Sequence, residues 1–195
     1  DAFDLGAAGG AGITAIAEGG DTSVLSAAFA GSGVDATIAQ DTGAPVFSPG
    51  ESQTAMFNVG DAMTNRYLSF ASMVVPSNDL FFGNDNATAY ELFDTNGDFV
   101  GPFEILVFGR DIYDNGSEVN DANGDAAFSV LGGSRTAENG VVTRFFDDPG
   151  ASSYLASFLG TGTADGNTIG ATFDEGTLIA RITIVPAPAG AGVLA

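Results

Sequence analysis

From residue 52 onward the chain is written in short apolar segments separated by turn-forming residues. "QTAMFNV", "RYLSFASMVV", "TAYELFD", "FEILVFG", "AAFSVLG", "GVVTRFF" and "TLIARITIV" are rich in β-branched and aromatic residues and bounded by Gly, Asn, Asp or Pro, a pattern that predicts strands. In the last segment Leu178, Ala180, Ile182 and Ile184 alternate with Arg181 and Thr183, as in a strand with one buried and one wet face. Seven or more such strands, with turns between them, predict an all-β fold, an antiparallel β-sandwich. Ahead of them, "GGDTSVLSAAFAG" predicts one short helix near the N-terminus. Asp21 or Thr22 caps it, Val24, Leu25, Ala28 and Phe29 share a face, and Gly31 closes it. Residues 1–20 are rich in Gly and Ala and show no clean period.

The chain of 195 residues is 45% hydrophobic and carries 16 Phe, enough for one core, so residues 1–185 are read as a single domain followed by a Pro/Ala/Gly-rich tail over 186–195. The 28 glycines do not recur every third residue, which argues against collagen, and the aromatic content argues against wholesale disorder.

Charge narrows the partners. There are 25 Asp and Glu against five basic residues, all Arg, for a formal net charge of -20. Such a field repels nucleic acid and anionic lipid and attracts divalent cations. No apolar run reaches membrane-spanning length, so no membrane insertion is expected. The chain contains no Cys, His, Trp or Lys. Soft-metal, haem and zinc sites of the usual kinds lose their ligands, while oxygen-only sites for hard ions such as Ca²⁺ remain open. Cys nucleophiles, Ser-His pairs and Lys Schiff bases are excluded too. Glu91, Glu104 and Glu118 permit a glycosidase pair in principle, but no spacing singles one out, and the expectation is a protein that is not an enzyme.

Acidic segments stand at predicted strand ends: "PSNDLFFGND" (76–85), "IYDNGSEVND" (112–121) and "NVGD" (58–61). Calcium takes six to eight oxygens, which loops meeting at one end of a sandwich can supply together. The alternative for Asp79 is a turn cap after Pro76, with Ser77 and Asn78 as ordinary turn residues. Two "DxNGD" stretches, Asp94–Asp98 and Asp121–Asp125, begin like EF-hand loops, yet their twelfth positions are Ile105 and Gly132, so neither is one. The first reads as a hairpin turn. The second lies beside Asp114 and Glu118, and its reading as turn or ion loop stays open.

The segments "GGDTSVLSAAFA", "SPGES", "RYLSFASMVVPSNDLFFGN", "YDNGSEVND" and "ENGVV" follow in an order and wording similar to the spondin N-terminal domain of bacterial secreted proteins, related to F-spondin and mindin. The resemblance covers about residues 5–146. It implies a C2-like sandwich, extracellular and non-enzymatic, holding calcium in loops at one end. Residue by residue it implies Asp79, Asp114 and Glu118 as ligands, with Glu118 standing where the family has Asp, and Asp61 as a fourth. "VPAPAGAGVLA" (185–195) resembles the start of a PEP-CTERM sorting tail, with Ala187 in place of the usual Glu and without the Arg cluster. That tail, and a chain beginning at Asp1 as after signal-peptide removal, imply secretion to the surface or extracellular matrix of a Gram-negative bacterium. The functional expectation is a calcium-binding structural or adhesive module that self-associates into an oligomer or fibre. The alternative is a calcium-dependent module binding an extracellular polysaccharide or a protein.

Overall fold

Strands β1 (Ala71–Met73), β2 (Leu80–Gly83), β3 (Glu104–Phe108), β4 (Ile112–Asp114), β5 (Thr143–Arg144) and β6 (Leu178–Thr183) form two antiparallel sheets, one ordered β1-β2-β4-β5 and one pairing β3 with β6. The computed structural model describes residues 2–31, 33–34, 36–38, 46–102, 104–121, 123–131 and 133–186. The sorting-tail motif, apart from Val185 and Pro186, lies outside them.

At its central strands, β2 and β4, the four-stranded sheet is covered on both faces. Leu80 pairs with Asp114, Phe81 with Tyr113 and Phe82 with Ile112, and successive side chains on a strand point to opposite faces. Leu80, Phe82 and Ile112 therefore enter one cluster, with Val74, Phe145, Tyr154, Leu155 and Phe158. Phe81 and Tyr113 enter a second, with Phe3, Ile13, Ala17 and Val142. A sheet covered on both sides needs consecutive apolar residues rather than alternating ones, which is how "LFF" in β2 and "IY" in β4 read. The β3–β6 sheet behaves differently: residues 105 and 107 are buried while Glu104 and Leu106 are exposed. A bulge between Val107 and Phe108 breaks its register and lets Ile179 pack against the first cluster.

Three helices are present among the described residues, where the sequence pattern predicts one. Helix α1 (Ala11–Gly19) buries Ile13, Ile16 and Ala17 on one face and ends at Gly20 in the left-handed region, φ 67. Its Gly12 lies so close to helix α2 (Ser23–Phe29) that a Cβ there would sit 2.8 Å from the Leu25 Cα. The expected helix is α2, entered as the Asp21 carboxylate accepts the Ser23 N–H at 2.9 Å. Helix α3 (Ala151–Ser157) buries Ala151, Tyr154 and Leu155. Several expected strands are irregular chain. "QTAMFNV" pairs with nothing among the described residues, Met56 being 77% exposed, and "AAFSVLG" and "TAYELFD" contribute isolated bridges. "GVVTRFF" supplies two strand residues before turning into a 3-10 helix over Phe145–Asp147. None of the helices among the described residues is long and apolar enough to cross a membrane.

Candidate metal centre

The loop between β1 and β2 (74–79) buries its polar residues. Ser77 and Asp79 are fully buried and Asn78 is 1% exposed. Leaving such groups unbonded in a low-dielectric interior is costly, and the loop is accordingly cross-braced. The Ser77 hydroxyl donates to the Val74 carbonyl at 2.6 Å and accepts the Leu80 N–H at 3.1 Å. Tyr154 of α3 accepts the Asn78 N–H at 2.8 Å and donates to Asn78 Oδ1, while Asn78 Nδ2 donates to the Asp125 carbonyl. These residues are a framework rather than an ordinary solvent turn.

Pairing of β2 with β4 carries Asp114 to the same sheet end, and the loop after β4 wraps the Asp79 carboxylate. Asp79 Oδ2 accepts three bonds, from the Ser117 N–H (2.8 Å), the Ser117 hydroxyl (3.0 Å) and the Glu118 N–H (2.9 Å). Asp114 Oδ1 accepts the Gly116 N–H at 2.7 Å, and its Oδ2 accepts from Asn120 Nδ2. Gly116 has φ 67, and a Cβ there would stand 2.7 Å from the Val141 carbonyl oxygen, so the loop needs glycine at this point. Glu118 Oε1 meets Arg135 Nη1 at 3.3 Å, and Arg135 reaches on to Asp125 and the Glu18 carbonyl.

Burial dominates the electrostatics. The Asp79 carboxyl is pushed up to about 7 by burial and then by the neighbouring Asp114 charge, against the bonds from Glu118 and Ser117. Burial also raises Asp114, opposed by Gly116 and Asn120, and raises Glu118, opposed by Arg135 and by the Asn78 amide. Four buried side-chain oxygens in this region lack a hydrogen-bond donor: Asp79 Oδ1, Asn115 Oδ1, Glu118 Oε2 and Asn120 Oδ1. Three carboxyls destabilised in their charged form, beside acceptors with nothing to accept, are the surroundings that a hard cation relieves.

Three of the four expected acidic ligands, Asp79, Asp114 and Glu118, are thus brought together. Asp61 is not. It is exposed and caps its own turn, accepting from the Met63 N–H at 3.0 Å and the Thr64 hydroxyl at 2.9 Å, so a side chain expected at the ion end is instead spent locally. Among the described residues no three Asp, Glu, His or Cys side chains are grouped so as to hold a metal ion by themselves. The buried oxygens without a donor include one each from Asp79 (Oδ1), Glu118 (Oε2) and Asn120 (Oδ1). Asn115 serves another end: its Nδ2 donates to the Thr14 hydroxyl at 3.1 Å, tying the loop to α1.

The two "DxNGD" stretches resolve differently. Asp94 Oδ1 accepts the Asn96 and Asp98 N–H groups beneath an antiparallel Phe93–Phe99 bridge, which is a hairpin turn. Asp121 Oδ1 likewise accepts the Asn123 N–H. That second turn touches the centre through the Asp125 carbonyl on Asn78 and the Asp125 carboxylate on Arg135, bracing it rather than adding an acid. Sequence reasoning missed Ser117, Asn120, Arg135 and Tyr154. The amides of "YDNGSEVN" were a visible signal, whereas Tyr154 is remote in sequence. Comparison with protein-family models, with curated proteins and with solved structures finds no match.

Proposed function

We propose that the chain is a secreted calcium-binding module of the spondin N-terminal kind, a C2-like sandwich with a structural or adhesive role at a cell surface or in an extracellular matrix, and not an enzyme. What carries this reading is the pair of buried carboxylates with donorless oxygens, Asp79 Oδ1 and Glu118 Oε2, held on two hydrogen-bonded loops at one sheet end. The antiparallel sheets and the order of the sequence motifs support the family part of the proposal. Calcium would be held by Asp79, Glu118 and Asn120, with Asp114 neighbouring it and Ser117, Gly116 and Tyr154 keeping the loops in place. The bound ion's role is to neutralise the buried acids and lock the two loops together; self-association into an oligomer or fibre belongs to the same proposal.

The test is a thermal melt with particle sizing, in millimolar calcium and in excess chelator, on wild type and on Asp79→Ala/Glu118→Ala. Calcium at about 100 times its dissociation constant adds about 2.7 kcal/mol to wild-type stability. No such gain is expected in the double variant, and a calcium-linked change in particle size ties the ion to assembly. Equal melting temperatures for wild type with and without calcium would remove the metal centre from the proposal.

A further inference from the structure

At the opposite ends of β2 and β4 from the carboxylate loops lies a cleft of about 350 Å³. β2 runs from Asp79 toward Gly83, Asn84 and Asp85, and β4 starts just after Asp111, so the two strands that carry the carboxylate loops at one end carry the cleft at the other. Its lining is mostly polar, with aromatic rings set among the charged groups. Phe70 and Tyr90 have ring centroids 5.7 Å apart at 35°, and Tyr113 and Phe108 add further faces.

The polar groups of the cleft are unusual for this chain. Two of its five arginines, Arg110 and Arg144, line it, and neither makes an ion pair among the described residues, although the chain carries a net charge of -20. The Arg110 guanidinium lies 4.4 Å from the Phe108 ring centroid and that of Arg144 5.5 Å from the Tyr113 centroid. Arg144 Nη1 donates to the Arg110 carbonyl at 3.1 Å, which holds the two arginines side by side. The Asp85 and Asp111 carboxylates act on the phenols of both Tyr90 and Tyr113, raising them beyond the effect of burial. Asp111 is half committed, since its Oδ2 accepts the Phe108 N–H at 2.8 Å. The Tyr90 and Tyr113 hydroxyls, the Asp85 carboxylate and the Arg110 guanidinium have no hydrogen-bond partner among the described residues.

The chemistry of that set selects a ligand. An anion meets Asp85 and Asp111, a cation meets Arg110 and Arg144, and a purely apolar molecule strands all four. A hydroxyl donates and accepts at once, so a polyol answers carboxylates, guanidinium groups and phenols together. The aromatic rings suit the apolar faces of a sugar ring, and the volume falls within the range of small-molecule sites. From this complementarity we infer that the cleft binds a neutral sugar unit of a glycan, with Asp85 and Arg110 gripping its hydroxyls and Tyr90 lining its ring. The inference gives the adhesive module proposed above a partner. It requires no ion, because the cleft shares no side chain with the metal centre.

The experiment uses the full chain on a glycan array carrying neutral, uronate-containing and sulfated oligosaccharides, in calcium and in chelator, followed by calorimetry with the best neutral binder. Neutral glycans are expected to be retained, and Arg110→Ala, Asp85→Asn and Tyr90→Ala each to weaken binding about tenfold or more, one lost charged hydrogen bond corresponding to about that factor. Arg110 is exposed and Asp85 half-buried, so at least those two variants are expected to fold, with wild-type melting as the control. Retention of acidic glycans alone, no retention of any neutral glycan, or affinities unchanged in all three variants overturns the inference. Failure here with an intact calcium shift in melting removes only the cleft, and sugar binding without a calcium shift removes only the metal centre.

Discussion

Most carboxylates in folded proteins are held below their ordinary range and stabilise the fold as pH rises, and Asp79 is expected to do the reverse. Its ordinary value of 3.8 is pushed up to about 7, so between those values the folded chain binds more protons than the unfolded one. The contribution is fully present below pH 3.8, declines through the window and is gone above about 7. The rise from 3.8 to about 7 corresponds to a ceiling of about 4 kcal/mol, of which about 2 kcal/mol falls between pH 5 and 7. For a chain of this size that is roughly 5–10 °C in melting temperature. Asp114 and Glu118, also raised, act with the same sign. The lowered acids Asp21, Asp94, Asp165 and Asp174 act with the opposite sign, but their stabilisation is already complete above the ordinary range near 3.8. The assay is differential scanning calorimetry from pH 5 to 8 in chelator, beside Asp79→Asn. The amide oxygen of that variant can keep the Ser117 and Glu118 bonds without a charge. Wild type is expected to lose stability across the range and the variant to lose much less, while calcium, which favours the ionised form, flattens the wild-type slope. A chelated wild type whose melting temperature holds or rises from pH 5 to 8, or a slope shared fully by Asp79→Asn, would refute the reasoning.

Gly116→Ala is expected to cost about 1–3 kcal/mol or more, from a left-handed φ and a backbone clash at Val141, read as a lowered denaturation midpoint. Tyr154→Phe removes both bonds to Asn78 and should cost about 1–3 kcal/mol in chemical denaturation, with a weaker calcium response because the loop loses its brace. Asp61→Ala should leave the calcium-induced rise in melting temperature unchanged and cost about 1 kcal/mol or less, the worth of an exposed cap. Phe158→Ala, truncating a ring 2% exposed in the first cluster, should cost about 3–5 kcal/mol.

What could be read from the sequence divides along physical lines. β6 announced itself by alternation, which holds over Ala180–Thr183 where one face is the more exposed, and β2 by consecutive apolar residues, because both its faces are covered. Helix α3 was hidden although Ala151, Tyr154, Leu155 and Phe158 stand at i, i+3, i+4 and i+7, since seven residues with three serines give too short a period to notice. In α1 the glycines and alanines diluted Ile13 and Ile16. "QTAMFNV" carried strand-forming residues with no partner strand to use them. At the centre, Asp79, Asp114 and Glu118 were singled out by the family resemblance, since residue spacing does not show that two loops meet; the β2–β4 pairing sets where they arrive. Asp61 misled because an acid in an exposed turn satisfies itself on the next few N–H groups, and the letters alone do not distinguish the two fates.

The wrapping of Asp79 has a consequence for how this chain can vary. Two of its three bonds come from backbone N–H groups, at Ser117 and Glu118, which any residue but proline supplies. Replacing Ser117 forfeits only the hydroxyl bond, whereas inserting one residue between Asp114 and Glu118 would turn an N–H away from the carboxylate and move Gly116 off the one position that tolerates it. The 38 residues from Asp79 to Ser117 include loops of free length, but the four steps from Asp114 to Glu118 do not. Distant kin of this chain are better sought by an aspartate directly before an apolar strand and by the interval Asp-x-Gly-x-acid than by the letters in between.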